Sequence, residues 1–190
     1  MKEPAAPPEA NRPVTENHLL VTAIADAGTA LLQQLSKRVV DASCNLLDAR
    51  VALLGREVSV QLLAAGSWDA IAKFESALQR LGRDDGIQLL LKRTTARNLA
   101  GNSLPYAVEV IAADKPGILH QLADFFARRG ISVEALTSSR YKAAQTGAEM
   151  FQAQLTIGIP STAHIAGLRD DFLEFCDGLN LDAILEPIKG

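Results

Sequence analysis

The stretch H-L-L-V-T-A-I-A-D, His18 to Asp26, decides the fold, because the chain writes it again as Y-A-V-E-V-I-A-A-D, Tyr106 to Asp114. Both runs alternate like a half-buried strand, and both end on aspartate. Each then changes to a helical period. Leu31, Leu32, Leu35 and Val39 follow the first run, and Ile118, Leu119, Leu122, Phe125 and Phe126 follow the second. Those spacings place the apolar side chains on one face of a helix.

Two strand-like runs come next in each copy. In the first they are L-L-D-A-R-V-A-L-L and E-V-S-V-Q-L-L-A-A, joined at Gly55-Arg56, a hairpin-like connection. In the second they are S-V-E-A-L-T-S-S-R-Y and E-M-F-Q-A-Q-L-T-I-G-I, joined by the longer K-A-A-Q-T-G-A. A second amphipathic helix follows, striped by Ile71, Phe74, Leu78 and Leu81 in one copy and by Ile165, Leu168, Phe172, Phe175 and Leu179 in the other. Ser67, and Ser161 or Thr162, are expected N-caps. I-Q-L-L-L-K and L-D-A-I-L-E-P-I supply the closing strands. The order β-α-β-β-α-β, twice, predicts an α+β protein of two tandem ferredoxin-like units, each an antiparallel four-stranded sheet with two helices on one face.

Residues 1–16 are rich in Pro and Ala without hydrophobic period and are expected to form a disordered tail. The segment 94–104 carries the Gly, Asn and Ser of a linker. The domains are therefore expected at 17–93 and 105–190.

The 190 residues are 48% hydrophobic and 22% charged, with a net charge of −3. That balance gives no global attraction to nucleic acid or an anionic membrane. No apolar run approaches the length of a membrane helix, and no signal-peptide layout opens the chain, so the cytoplasm is expected. Cys44 and Cys176 form no C-x-x-C and read as reduced, packed thiols. His18, His120 and His164 lack metal-ligand spacing, and no nucleophile–base arrangement, P-loop or dinucleotide fingerprint occurs, so neither a metal, a cofactor nor catalysis is expected.

The chemistry gathers at A-D-K-P-G-I-L-H, Ala113 to His120. Pro116 fixes φ, Gly117 lets a ligand approach the backbone, and the unpaired N–H groups of the helix start suit a carboxylate. Asp114 is placed to grip an ammonium. A free amino acid would satisfy both. The same residues also suit a plain helix start with Asp114 as N-cap and Pro116 early in the helix, and the turn alone leaves both readings open.

Two such units, with D-x-P-G after the first strand, resemble tandem ACT domains over nearly all of residues 18–188. Within the first copy S-C-N-L-L-D-A-R-V-A-L-L-G-R-E, A-A-G-S-W-D-A-I-A-K-F-E-S-A-L and L-L-K-R-T-T-A-R, in that order, resemble the glycine cleavage system transcriptional repressor family. The resemblance implies a cytoplasmic regulator, responsive to glycine or another small amino acid. It would act through a DNA-bound transcriptional activator protein rather than by touching nucleic acid itself. A homo-oligomer stays open. The family pattern puts the ligand between the first turn of one unit and the start of the second strand of the other. Carried over, Asp114, Lys115, Pro116, Gly117 and Ile118 would join Asn45 and Leu46. A weaker mirror site would join Asp26, Ala27, Gly28, Thr29 and Ala30 to Ser132 and Val133. This second turn lacks Pro-Gly, and counted from its aspartate it has one extra residue before the helical stripe. One ligand per chain is the expectation.

Other features have plainer readings. Trp68 is expected to pack at its helix start, with a partner hot spot as the alternative. The basic run Lys92 to Arg97 is expected to be solvated, with a role toward a partner or phosphates as the alternative. Asp84-Asp85 and Asp170-Asp171 read as turn and helix-start acids. The competing function is a ligand-independent interaction adaptor built from the same domains, motivated by the altered first turn.

Overall fold

The computed structural model describes residues 16–83, 86–96 and 103–188. Residues 1–15 of the expected tail, Asp84-Asp85 and the middle of the expected linker lie outside them. The chain divides into two units, with the division between Arg97 and Asn98.

The first unit runs β1 (Asn17–Asp26), α1 (Leu31–Asp41), β2 (Asn45–Leu54), β3 (Glu57–Gly66), α2 (Trp68–Leu81) and β4 (Ile87–Thr94). The second repeats it with β5 (Ser103–Ala113), α3 (Ile118–Ala127), β6 (Ser132–Lys142), β7 (Glu149–Pro160), α4 (Ile165–Gly178) and β8 (Asp182–Pro187). The sheets order as β2-β3-β1-β4 and β6-β7-β5-β8, antiparallel throughout. This is the split βαβ arrangement in both units.

The alternation read in the sequence is the burial pattern observed. Leu19, Val21, Ala23 and Ala25 of β1 and Val60, Leu62 and Ala64 of β3 turn inward beneath Leu31, Leu35 and Val39 of α1. Ile71, Phe74, Leu78 and Leu81 of α2 complete that core. In the second unit Phe125, Phe126, Phe172 and Phe175 form an aromatic cluster with ring centroids 4.7–5.4 Å apart, Phe126 stacked on Phe172 and Phe125 edge-on to both. Such contacts add roughly 0.5–1.5 kcal/mol per pair to the burial itself. Cys176 completes the inward stripe of α4, a position the sequence reading left out.

Edge strands β2 and β6 are exposed along their whole length. Each carries a register shift at the same place in the repeat, between Leu46 and Asp48 and between Val133 and Ala135. Bulges of this kind re-aim side chains at a sheet edge.

One expected helix cap is present and the other is displaced. Ser67 caps α2, its side chain accepting from Ala70 N at 3.2 Å. At α4 the cap is His164, whose Nδ1 accepts from Gly167 N at 3.0 Å, and neither Ser161 nor Thr162 serves. The turn from Pro160 to Ala163, closed by a hydrogen bond between them, carries the chain past both hydroxyls before helical geometry begins. Asp170 and Asp171 lie inside α4 rather than in its first turn, and Asp171 faces Arg129 at 3.5 Å.

Candidate functional site

Gly117, not Asp114, is the N-cap of α3. Its φ of +93° and ψ of −6° are left-handed, which only glycine adopts without strain, and no side chain caps the helix. Pro116 therefore precedes the cap instead of occupying the first helical turn. The plain helix-start reading, with Asp114 as cap, does not hold. Uncapped first-turn N–H groups are open donors at the positive end of the helix.

Around that helix start lies an open cavity of about 400 Å³. Asp114, Lys115, Pro116, Gly117, Ile118 and Leu119 form one wall, and Ser138, Ser139, Arg140 and Phe151 the other. The register sets Ser138 opposite Ala153 and Arg140 opposite Phe151, both inward-facing, so Ser138 and Arg140 share the helix-side face of β6. Arg140 Nε lies 3.1 Å from Asp114 Oδ2; the carboxylate is nearly buried and the guanidinium mostly exposed. Lys115 Nζ donates to Leu179 O at 2.7 Å and ties the turn to the end of α4. Its charge is thus engaged at the helix C-terminus, where cations are favoured. Chemically the wall offers a paired carboxylate, a guanidinium at the mouth and backbone donors, a set suited to a zwitterion.

Sequence reasoning missed Ser138 and Arg140. Nothing local marks them: they reach the turn only because β6 pairs with β7, which pairs with β5.

The first copy settles how the two turns correspond. Ala27 N donates to Arg56 O as Asp114 N donates to Glu149 O, and α1 starts at Leu31 as α3 starts at Ile118. Ala27 thus stands where the second copy has Asp114, and Ala30, with φ −74°, where it has Gly117. Asp26 falls one residue earlier, its Oδ1 accepting from Gly28 N at 3.1 Å. Counting along the ladders sets Val51 and Leu53 in place of Ser138 and Arg140. Every charged or hydroxyl group of the second copy's cavity wall at these positions is apolar in the first.

Asn45 and Leu46 begin β2, and Ser132 and Val133 begin β6, each pair just before its bulge. They lie in the unit opposite to the turn each was matched with, so neither unit by itself brings a pair and its turn together.

Trp68 does not pack: it is 61% exposed, with Arg93 Cζ 5.9 Å from its ring centroid. Arg93 is held in turn by Glu75, at 2.9 and 2.6 Å. That hydrogen bond pulls the Glu75 carboxyl below its usual range, against the opposing pull of burial. Of the basic run, Lys92, Arg93 and Thr94 end β4 and Arg97 lies outside the described residues. Cys44 and Cys176 are free thiols. No cluster of potential metal ligands, and no helix long and apolar enough to cross a membrane, occurs among the described residues.

Comparison with known proteins finds two matches to models of the ACT domain, over residues 17–92 and 106–149, together more than half of the chain. The chain is 28% identical over 175 residues to the glycine cleavage system transcriptional repressor of Escherichia coli (strain K12), covering 92% of each. The repressor of the same name from Shigella flexneri matches to the same extent. A solved structure provisionally described as a glycine cleavage system transcriptional repressor is similar at a TM-score of 0.68 and 26% identity, covering 92% of this chain and 99% of that one. A protein of unknown function from Galdieria sulphuraria shares the fold at a TM-score of 0.73 and 17% identity.

Proposed function

We propose, from the premise that this chain belongs to the ACT-domain family, that it is an amino-acid-responsive transcriptional regulator of the glycine cleavage system repressor type. Its named relatives are transcriptional repressors of the glycine cleavage system. The observation that carries the reading is the second unit's turn: an uncapped helix start beside a nearly buried carboxylate, opening on a cavity of about 400 Å³. A small amino acid, glycine first, lays its carboxylate against the first-turn N–H groups of α3 and its ammonium against Asp114. The first unit supplies no such set at Ala27, Ala30, Val51 and Leu53, so one ligand binds per chain. The protein works in the cytoplasm and acts on a DNA-bound activator protein. Ligand occupancy changes that contact only insofar as the two states bind the ligand unequally.

Calorimetry of the purified chain against glycine, serine and alanine tests this. One site per chain, weakened in Asp114→Asn, is expected. No heat with any of the three would sink the ligand reading.

A second reading, the ligand-independent adaptor, draws on one observation: Arg140 already occupies Asp114. Recruitment of an activator that no amino acid alters would favour it.

A further inference from the structure

The groove between α1 and α2 is chemically unlike the rest of this acidic chain. Lys37, Arg38, Asp41 and Ala42 line one side, and Lys73, Ala77, Arg80 and Leu81 the other, around about 500 Å³ of open space. Positions 73, 77 and 80 share one face of α2, and 37, 38 and 41 the facing flank of α1. Four cations against one carboxylate thus converge in a protein whose net charge is −3.

The repeat supplies an internal control. Since Leu31 and Ile118 open the first helix of each copy, Lys37 corresponds to Asp124, Arg38 to Phe125 and Asp41 to Arg128. The second unit's groove is lined by Asp124, Phe125, Arg128, Arg129, Asp171, Glu174 and Phe175, three acids against two cations. The fold therefore does not require cations at this place. Helix dipoles account for part of the set, since Arg38 and Arg80 sit in last turns. Lys73, mid-helix in α2, is held by the other helix: it reaches across to donate to Asp41 O, at the C-terminal end of α1, at 2.5 Å. Arg80 has no hydrogen bond or ion pair among the described residues and is exposed.

We infer that this groove docks an acidic helical segment of a protein partner. The inference rests on the reading that the chain acts through a protein, and it names the surface. Arg80 would meet the segment's carboxylates, joined by Lys37, which now holds Asp41 Oδ2 at 2.7 Å, and by Lys73, and the segment's methyl groups would lie over Ala77. Lys37 and Lys73 already share their charge with Asp41, through its Oδ2 at 2.7 Å and its carbonyl O, which leaves a modest surplus suited to a few carboxylates rather than to the closely spaced charges of a nucleic-acid backbone.

The test uses the full chain and a fluorescent amphipathic peptide of about 20 residues, long enough to be helical, with glutamates on one face. Anisotropy is read for wild type, for Lys73→Glu/Arg80→Glu, and for Arg128→Glu/Arg169→Glu, which changes the charge equally in the other unit. The groove variant is expected to weaken peptide binding by about tenfold or more, and the control by much less. Equal loss in both variants, no binding by wild type, or tighter binding of a duplex DNA of similar length would overturn the inference. Glycine calorimetry on the same variants separates the two ideas. Retained glycine heat with lost peptide binding supports both. Absent glycine heat with groove-dependent peptide binding removes only the ligand reading.

Discussion

Gly117→Ala isolates the turn from the rest of the unit. A methyl group added there meets nothing within 4 Å, so the substitution creates no clash. The cost is conformational, because φ stays at +93°. A left-handed L-residue costs about 1–2 kcal/mol. The less flexible unfolded chain of alanine offsets roughly 0.4–1 kcal/mol of that. The net loss is about 1 kcal/mol, or roughly 4–8 °C in the melting temperature of a unit this size. Gly147, in the β6–β7 connection, offers a matched control: its φ is +68°, and a methyl there also meets open space. Gly147→Ala should cost a similar amount. The two differ in what the open space is for. Gly117 lines the cavity beside Asp114 and Gly147 does not, so amino-acid binding should be lost in Gly117→Ala and kept in Gly147→Ala. Scanning calorimetry gives the stabilities and titration calorimetry the binding. The reasoning fails if Gly117→Ala melts like wild type, or if it binds glycine with unchanged affinity. The bulkier Gly117→Val would be a poorer probe, since a β-branched residue at positive φ adds strain of its own.

The remaining predictions concern single groups. Asp114→Asn should weaken glycine binding by roughly tenfold or more, as expected for a lost charge-assisted hydrogen bond, while Arg140→Ala, which releases the carboxylate, should tighten it. Asn45→Ala examines the family pattern's contribution from the first unit; binding indifferent to it would confine the site to the second. Burial, helped by Asp177, pushes the Cys176 thiol from its usual 9.0 up to about 12. A raised folded value means that the unfolded chain loses this proton first, so this group's stability is intact below pH 9.0 and is lost as pH rises from there toward about 12. Denaturant titrations of wild type and Cys176→Ala across that range should converge on that account. Ser67→Ala removes the cap of α2 and should cost about 1 kcal/mol in the first unit's denaturant midpoint.

Much of this protein is written locally. Alternation from His18 to Asp26 and from Tyr106 to Asp114, with the stripes after each, marked the element order of both units and most of their cores, although β5 begins at Ser103 inside the expected linker and stops before Asp114, and Leu32 and Leu119 of the stripes are exposed. That information lies in the period of apolar residues, which burial enforces regardless of distant neighbours. The loss of Pro-Gly in the first turn was equally plain, and with it the inequality of the two copies. Tertiary structure decided the rest. Strand pairing brought Arg140 to Asp114 and showed that Ala27, not Asp26, is Asp114's counterpart. Backbone geometry made Gly117 the cap and set Pro116 before it. The docking of α1 on α2 gathered Lys37 of one helix with Lys73 and Arg80 of the other into one groove. A periodic pattern says which face of an element is buried, but only the packed chain fixes which charges meet across the gap between elements.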